Sequence, residues 1–94
     1  MKIILIFLTL KQFINSQNWF DYLKDNQLIA QKSRISNLNG FELLASVYNI
    51  TDIDLYDNKI MNITKIKYMI NVTKLNLGRN LIINIDAISV LQQN

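Results

Sequence analysis

Apolar residues enter the second half of the chain at fixed intervals. Ile35, Leu38, Phe41, Leu44 and Val47 step by three, and Ile50, Ile53, Leu55, Asn58, Ile60, Ile63, Ile66 and Met69 follow. The series then recurs as Val72, Leu75, Leu77, Asn80, Ile82, Ile85, Ile88 and Leu91, each member 22 residues after its counterpart. Eight positions in register mark an internal repeat, and a repeat of this length is one supersecondary unit that buries its apolar face only by stacking on its neighbours. In "ITDIDLYDN" the alternation sends Ile53 and Leu55 inward and Asp52, Asp54 and Tyr56 outward, which is a short strand. In "VTKLNLGRN", Leu75 and Leu77 go inward while Lys74, Asn76 and Gly78 face out. The segments around Ile63 to Met69 and Ile85 to Leu91 step by three or four, a spacing that predicts helical or 3-10 return turns behind the strands.

Ahead of the repeats, "NWFDYLKDNQLIAQK" places Trp19, Phe20, Leu23, Gln27, Leu28 and Ala30 near one side of a helix running from Asn18 to about Lys32. The stripe predicts burial of the aromatic pair, and the segment 17–34 is expected to cap the N-terminal end of the stack. A partial repeat begins at Ile35 in "RISNLNGFELLASVYNI". One period of 22 before Ile53 and Leu55 stand Gln31 and Ser33, so this unit is expected to lack its strand half.

The spacing L-x-x-L-x-L-x-x-N-x-L resembles the leucine-rich repeat family, in the short 22-residue subclass seen in protein phosphatase 1 regulatory subunits and bacterial internalins, with isoleucine often in the place of leucine. The resemblance covers about Ile35 to Gln92, one partial repeat and two nearly full ones, within a repeat region of 35–94. It implies an α/β leucine-rich repeat solenoid, with parallel strands on the concave face and helical or 3-10 return segments. Asn58 and Asn80 stand at the family's asparagine position and are expected to turn inward and bond the backbone of the turn. It further implies a non-catalytic protein-interaction module whose partner-binding face comprises Asp52, Asp54, Tyr56, Asp57, Lys74, Asn76 and Arg79. Among these, Tyr56 and Arg79 suit an anchor role, since interface hot spots favour Tyr and Arg. Stacking in register sets residue i beside i+22 on adjacent strands about 4.8 Å apart, which brings Asp52 beside Lys74 and Asp57 beside Arg79. Exposed pairs of this kind contribute about 0–1 kcal/mol each.

Composition narrows the chemistry. The 94 residues include no cysteine and no histidine, which excludes disulfides, thiolate chemistry, the usual zinc ligand sets and imidazole acid–base catalysis. Asp52 and Asp54 share one side of a strand, but no nucleophile or general base accompanies them, so neither a catalytic centre nor a metal site is expected. Gly40 and Gly78, the two glycines, form no phosphate-cradling loop, and no cofactor or small-molecule substrate is expected. The net charge is +3 and the basic residues are scattered from Lys2 to Arg79 without a run, so no nucleic-acid footprint is expected.

Two features bear on compartment. "MKIILIFLTLKQFINSQ" sets Lys2 before an apolar run from Ile3 to Leu10, too short to span a bilayer but within the length of a signal-peptide core, with small Ser16 ahead of a cut. Residues 1–16 are thus either a secretory signal or an apolar segment folded onto the domain. Asn49, Asn62 and Asn71 open N-x-T glycosylation tripeptides, which matter only on the secretory route. The chain is accordingly a secreted glycoprotein or a cytoplasmic protein. At the other end no cap follows the last repeat, leaving Leu77, Ile82, Ile85 and Ile88 open, which points to self-association, or to a fragment of a longer array, as the alternative to a protein partner.

Overall fold

The computed structural model describes residues 18–89. Residues 1–16 and Leu91, which carry the signal-peptide expectation and the last repeat position, lie outside the described residues.

Three short strands, β2 (Gln27–Ile29), β3 (Asp52–Asp54) and β4 (Lys74–Asn76), run parallel in that order. A two-residue strand β1 (Leu23–Lys24) pairs antiparallel with the outer edge of β2. The register of β3 on β4 sets Asp52 opposite Lys74, Ile53 opposite Leu75 and Asp54 opposite Asn76, as the 22-residue period requires. The ladder runs past the strand ends through Leu55 N to Asn76 O and Asp57 N to Gly78 O, both 2.8 Å.

Two expectations about the first repeat are corrected. Residues 18–32 do not form a helix: a 3-10 turn over Trp19–Tyr22 leads into the β1–β2 hairpin. Asp25 and Asn26 form its two-residue loop, and Asp25 takes φ 56°, a left-handed conformation that hairpin turns need and that Asp tolerates better than most residues. The partial repeat also has its strand. Leu28 pairs with Ile53 at an offset of 25 rather than 22, so Leu28 and Ala30 fill the two inward places that Gln31 and Ser33 were expected to leave polar.

The three additional residues are absorbed at the back of the repeat. Five residues separate Leu44 from Ile50, where two separate Met69 from Val72. The extra length goes into a true α-helix, α1 (Phe41–Val47), whereas the later return segments, Thr64–Tyr68 and Asp86–Ile88, are 3-10 turns. Its sequence FELLASV is rich in strong helix formers. Buried Gly40, at φ 97°, starts it in a left-handed conformation that only glycine adopts freely. In α1, Phe41 and Leu44 are buried and Val47, expected inward from the three-residue step, is exposed because the helix carries it round to solvent.

The core is built of columns. Leu28 and Ile53, Ala30 and Leu55, Ile35 and Ile60, Leu38 and Ile63, and Phe41 and Ile66 are buried pairs at the 25-residue offset. Their next counterparts, Leu75, Leu77, Ile82 and Ile88, are only partly buried, and Ile85 is 66% exposed. Trp19 is fully buried beside this core, edge-on to Phe41 at 4.9 Å, with its indole Nε1 donating to Asn39 O at 2.8 Å. Behind the strands, Lys65 pairs with Glu42 and ties α1 to the following 3-10 turn.

Candidate functional site

A column of asparagines holds the turns that follow the strands. Asn58 is buried, and its Oδ1 accepts from Ser33 N and Ile35 N, both at 3.0 Å. Its Nδ2 donates to Ala30 O at 2.8 Å and Leu55 O at 2.9 Å. Asn80 repeats the arrangement one unit on, donating to Leu55 O, Leu77 O and Gly78 O and accepting from Ile60 N. The inward-turned asparagines expected from the repeat pattern are thus present, and Ser33 takes the corresponding place in the first unit.

Two further columns were not read from the sequence. Asn37, Asn62 and Asn84 each accept, through Oδ1, from the backbone N–H two residues on, at Asn39, Thr64 and Asp86. They start the return segments in the way short Asx turns do. Thr51 and Thr73 each bond the preceding unit, with Thr51 N donating to Asn26 O and Thr73 N to Thr51 O. The repeated N-x-T tripeptides therefore coincide with places where Asn62, Thr51 and Thr73 already serve the backbone. Asn49, Asn62 and Asn71 are all exposed.

The outward positions of the strands form one face. Gln27, Ile29, Asp52, Asp54, Lys74 and Asn76 line a shallow groove of about 300 Å³. Asp52 and Lys74 are register neighbours, but the ion pair within 4 Å among the described residues is Lys65–Glu42; Asp52 instead accepts from Gln27 Nε2 at 3.2 Å. Asp54 accepts from Gln31 Nε2 and, through Oδ1, from Tyr56 N at 3.1 Å. Asn76 Oδ1 accepts from Gly78 N at 3.0 Å in the matching position. Asp54 and Asn76 thus shape the turns at the groove's end as well as its floor.

Tyr56, Asp57 and Arg79 lie beyond that end. A Cβ on Gly78 would stand 3.0 Å from Tyr56 Cδ1 and 3.2 Å from Asn76 Oδ1, so the absence of a side chain is what lets the Tyr56 ring lie across the next unit. Hydrogen bonding to the Tyr56 side chain, and then the negative charge of Asp57, hold the Arg79 pKa above its ordinary value. Gly78→Ala is expected to push the Tyr56 ring aside and lower stability by about 1 kcal/mol, read as a shift in the urea midpoint at constant slope. An unchanged Tyr56 ring environment by NMR would contradict it.

Stacking also gathers cations that are far apart in the chain. Lys32, Asp57 and Arg79 occupy one position in successive units, immediately before Ser33, Asn58 and Asn80, and all three take positive φ, at 51°, 61° and 53°. Arg34 does so at 58°. Lys32, Arg34, Asp57, Asn58 and Lys59 surround a hollow of about 200 Å³. The scattered basic residues of the sequence thus become a basic edge on the side where the strands end. Among the described residues no group of three acidic side chains could hold a metal ion, and no helix is long and apolar enough to cross a membrane.

No protein-family model matches the chain, and no curated protein sequence matches it. Among solved structures it is similar to internalin C2 from Listeria monocytogenes, with a TM-score of 0.65 and 26% sequence identity over 88% of this chain. The chain spans 38% of that protein's length. The likeness supports a leucine-rich-repeat-like α/β fold, a class whose members serve as protein-interaction modules.

Proposed function

We propose that the chain is a short leucine-rich repeat solenoid of the 22-residue kind that binds a protein partner, without catalysis, through the concave face of β2, β3 and β4. The observation that carries this reading is the in-register groove lined by Gln27, Ile29, Asp52, Asp54, Lys74 and Asn76, with the interacting Tyr56 and Arg79 beyond its end. Ile53 and Leu75 also line the groove, and exposed Ile29 stands among its charged and amide side chains, an apolar centre within a polar rim that suits a segment of a folded protein. The β1–β2 hairpin serves in place of the expected helix as the cover of the first strand's edge. A face three strands wide offers less than a standard interface of about 800 Å² per partner, so affinity is expected in the micromolar range.

A photo-reactive residue at Lys74 tests this. Lys74 is on the groove, and Lys67 on the return segment is the control. A discrete protein adduct from position 74 and none from position 67, followed by at least tenfold weaker binding of that protein to the Tyr56→Ala chain, is the expected result. Adducts of equal yield from both positions, or full affinity after Tyr56→Ala, would remove the strand face as the site. Mass analysis of the protein from its native cells, for glycan on Asn49, Asn62 or Asn71, decides whether that partner is sought outside the cytosol.

A further inference from the structure

We infer that the basic edge holds a tetrahedral oxyanion, a phosphate or sulfate group, in the hollow between Lys32, Arg34 and Lys59. The hollow of about 200 Å³ has room for such an anion with part of its hydration, since a water takes about 30 Å³. The three cationic side chains are exposed and form no ion pair or hydrogen bond with another described residue. Asp57 is the one acid on the lining, and it also faces Arg79, which lies outside the hollow.

The frame beneath these side chains is rigid. Asn58 Oδ1 bonds the amides on both sides of Arg34, at Ser33 and Ile35, and Lys59 N donates to Ile35 O at 2.8 Å. The stems of Arg34 and Lys59 therefore leave from fixed points, which lowers the ordering cost of closing on an anion. Residue choice points the same way. Lys32 and Arg34 both hold left-handed backbone, which Gly, Asn and Asp adopt with less strain, so long cations stand where the backbone alone favours other residues. Three cations on separate stems suit an anion with oxygens in several directions, and Arg34 can offer two parallel donors to one of its edges.

Calorimetric or NMR titration of the full chain with inorganic phosphate, inorganic sulfate and O-phosphoserine tests the site and separates a free ion from an esterified one. Saturable binding at millimolar concentration is expected, weakened about three- to fivefold by each of Lys32→Gln, Arg34→Gln and Lys59→Gln, and unchanged by Lys67→Gln, which removes the same charge elsewhere. Asp57→Asn keeps a side chain suited to positive φ, removes the repelling charge, and is expected to tighten binding by a similar factor. Tighter binding of O-phosphoserine than of phosphate would assign the site to an esterified group. The proposal is overturned if none of the three anions saturates, if Lys67→Gln weakens binding as much as Lys32→Gln, or if Asp57→Asn weakens it.

Discussion

Replacing Asn58 with alanine is expected to remove a large part of the stability of the chain, about 3–5 kcal/mol in urea denaturation. The side chain closes four close hydrogen bonds at once, two from the amides of Ser33 and Ile35 and two to the carbonyls of Ala30 and Leu55. Alanine leaves the amides of Ser33 and Ile35 and the carbonyl of Ala30 without this partner, while Leu55 O keeps Asn80 Nδ2, and each buried unsatisfied group costs about 1–3 kcal/mol, part of which relaxation recovers. Domains of this size have only about 5–15 kcal/mol in all. Asn80→Ala is the internal comparison. Asn80 is half-buried, so water can replace some of its bonds, and a loss of about 1–2 kcal/mol is expected there. Equal losses at the two positions would mean that burial does not set the strength of the column.

Trp19→Ala is expected to have the second largest effect, about 3–5 kcal/mol, the usual range for emptying a large aromatic site. The indole is fully buried and stacks edge-on against Phe41 at 4.9 Å and Tyr22 at 6.3 Å, and it also donates to Asn39 O. It therefore joins the segment before the hairpin to the start of α1. Trp19→Phe keeps most of the apolar surface and loses the hydrogen bond, so a loss of about 1–2 kcal/mol is expected. Because Trp19 is the only tryptophan, the emission of the native protein should be blue-shifted and move red on unfolding. Red-shifted native emission would show that the indole is wet and would contradict its place in the core.

The parts of the fold legible in the sequence were those carried by a constant period. Ile53 with Leu75 and Asp52 with Lys74 are paired as the 22-residue offset requires, and Asn58 and Asn80 bond the turns. The first repeat was obscured because its offset is 25, which moved the comparison from Leu28 and Ala30 to Gln31 and Ser33. Of the stripe read as helical, Trp19, Leu28 and Ala30 are buried, Phe20 and Leu23 are half-buried and Gln27 is exposed, because a hairpin brings only part of a helical face to one side over so short a stretch. The contrary signal was Asp25-Asn26, a turn-favouring pair in mid-helix. The hollow of the basic edge was not legible, since Lys32, Arg34 and Lys59 come together only once the 25-residue offset is known.

The difference between α1 and the 3-10 turns behind it has a geometric consequence for anything that docks on the strands. Neighbouring strands at the front keep the spacing of a sheet, about 4.8 Å, whatever stands behind them. An α-helix is a broader cylinder than a 3-10 turn, so the wedge between the first and second units is thicker at the back than the wedge between the second and third. Bending is thus expected to concentrate beside β2 and β3 and to relax toward β4. A partner docked on this face, as proposed, is then expected to meet a cupped end near Gln27 and Ile29 and a flatter end near Lys74 and Asn76, and to have one preferred direction in which to lie.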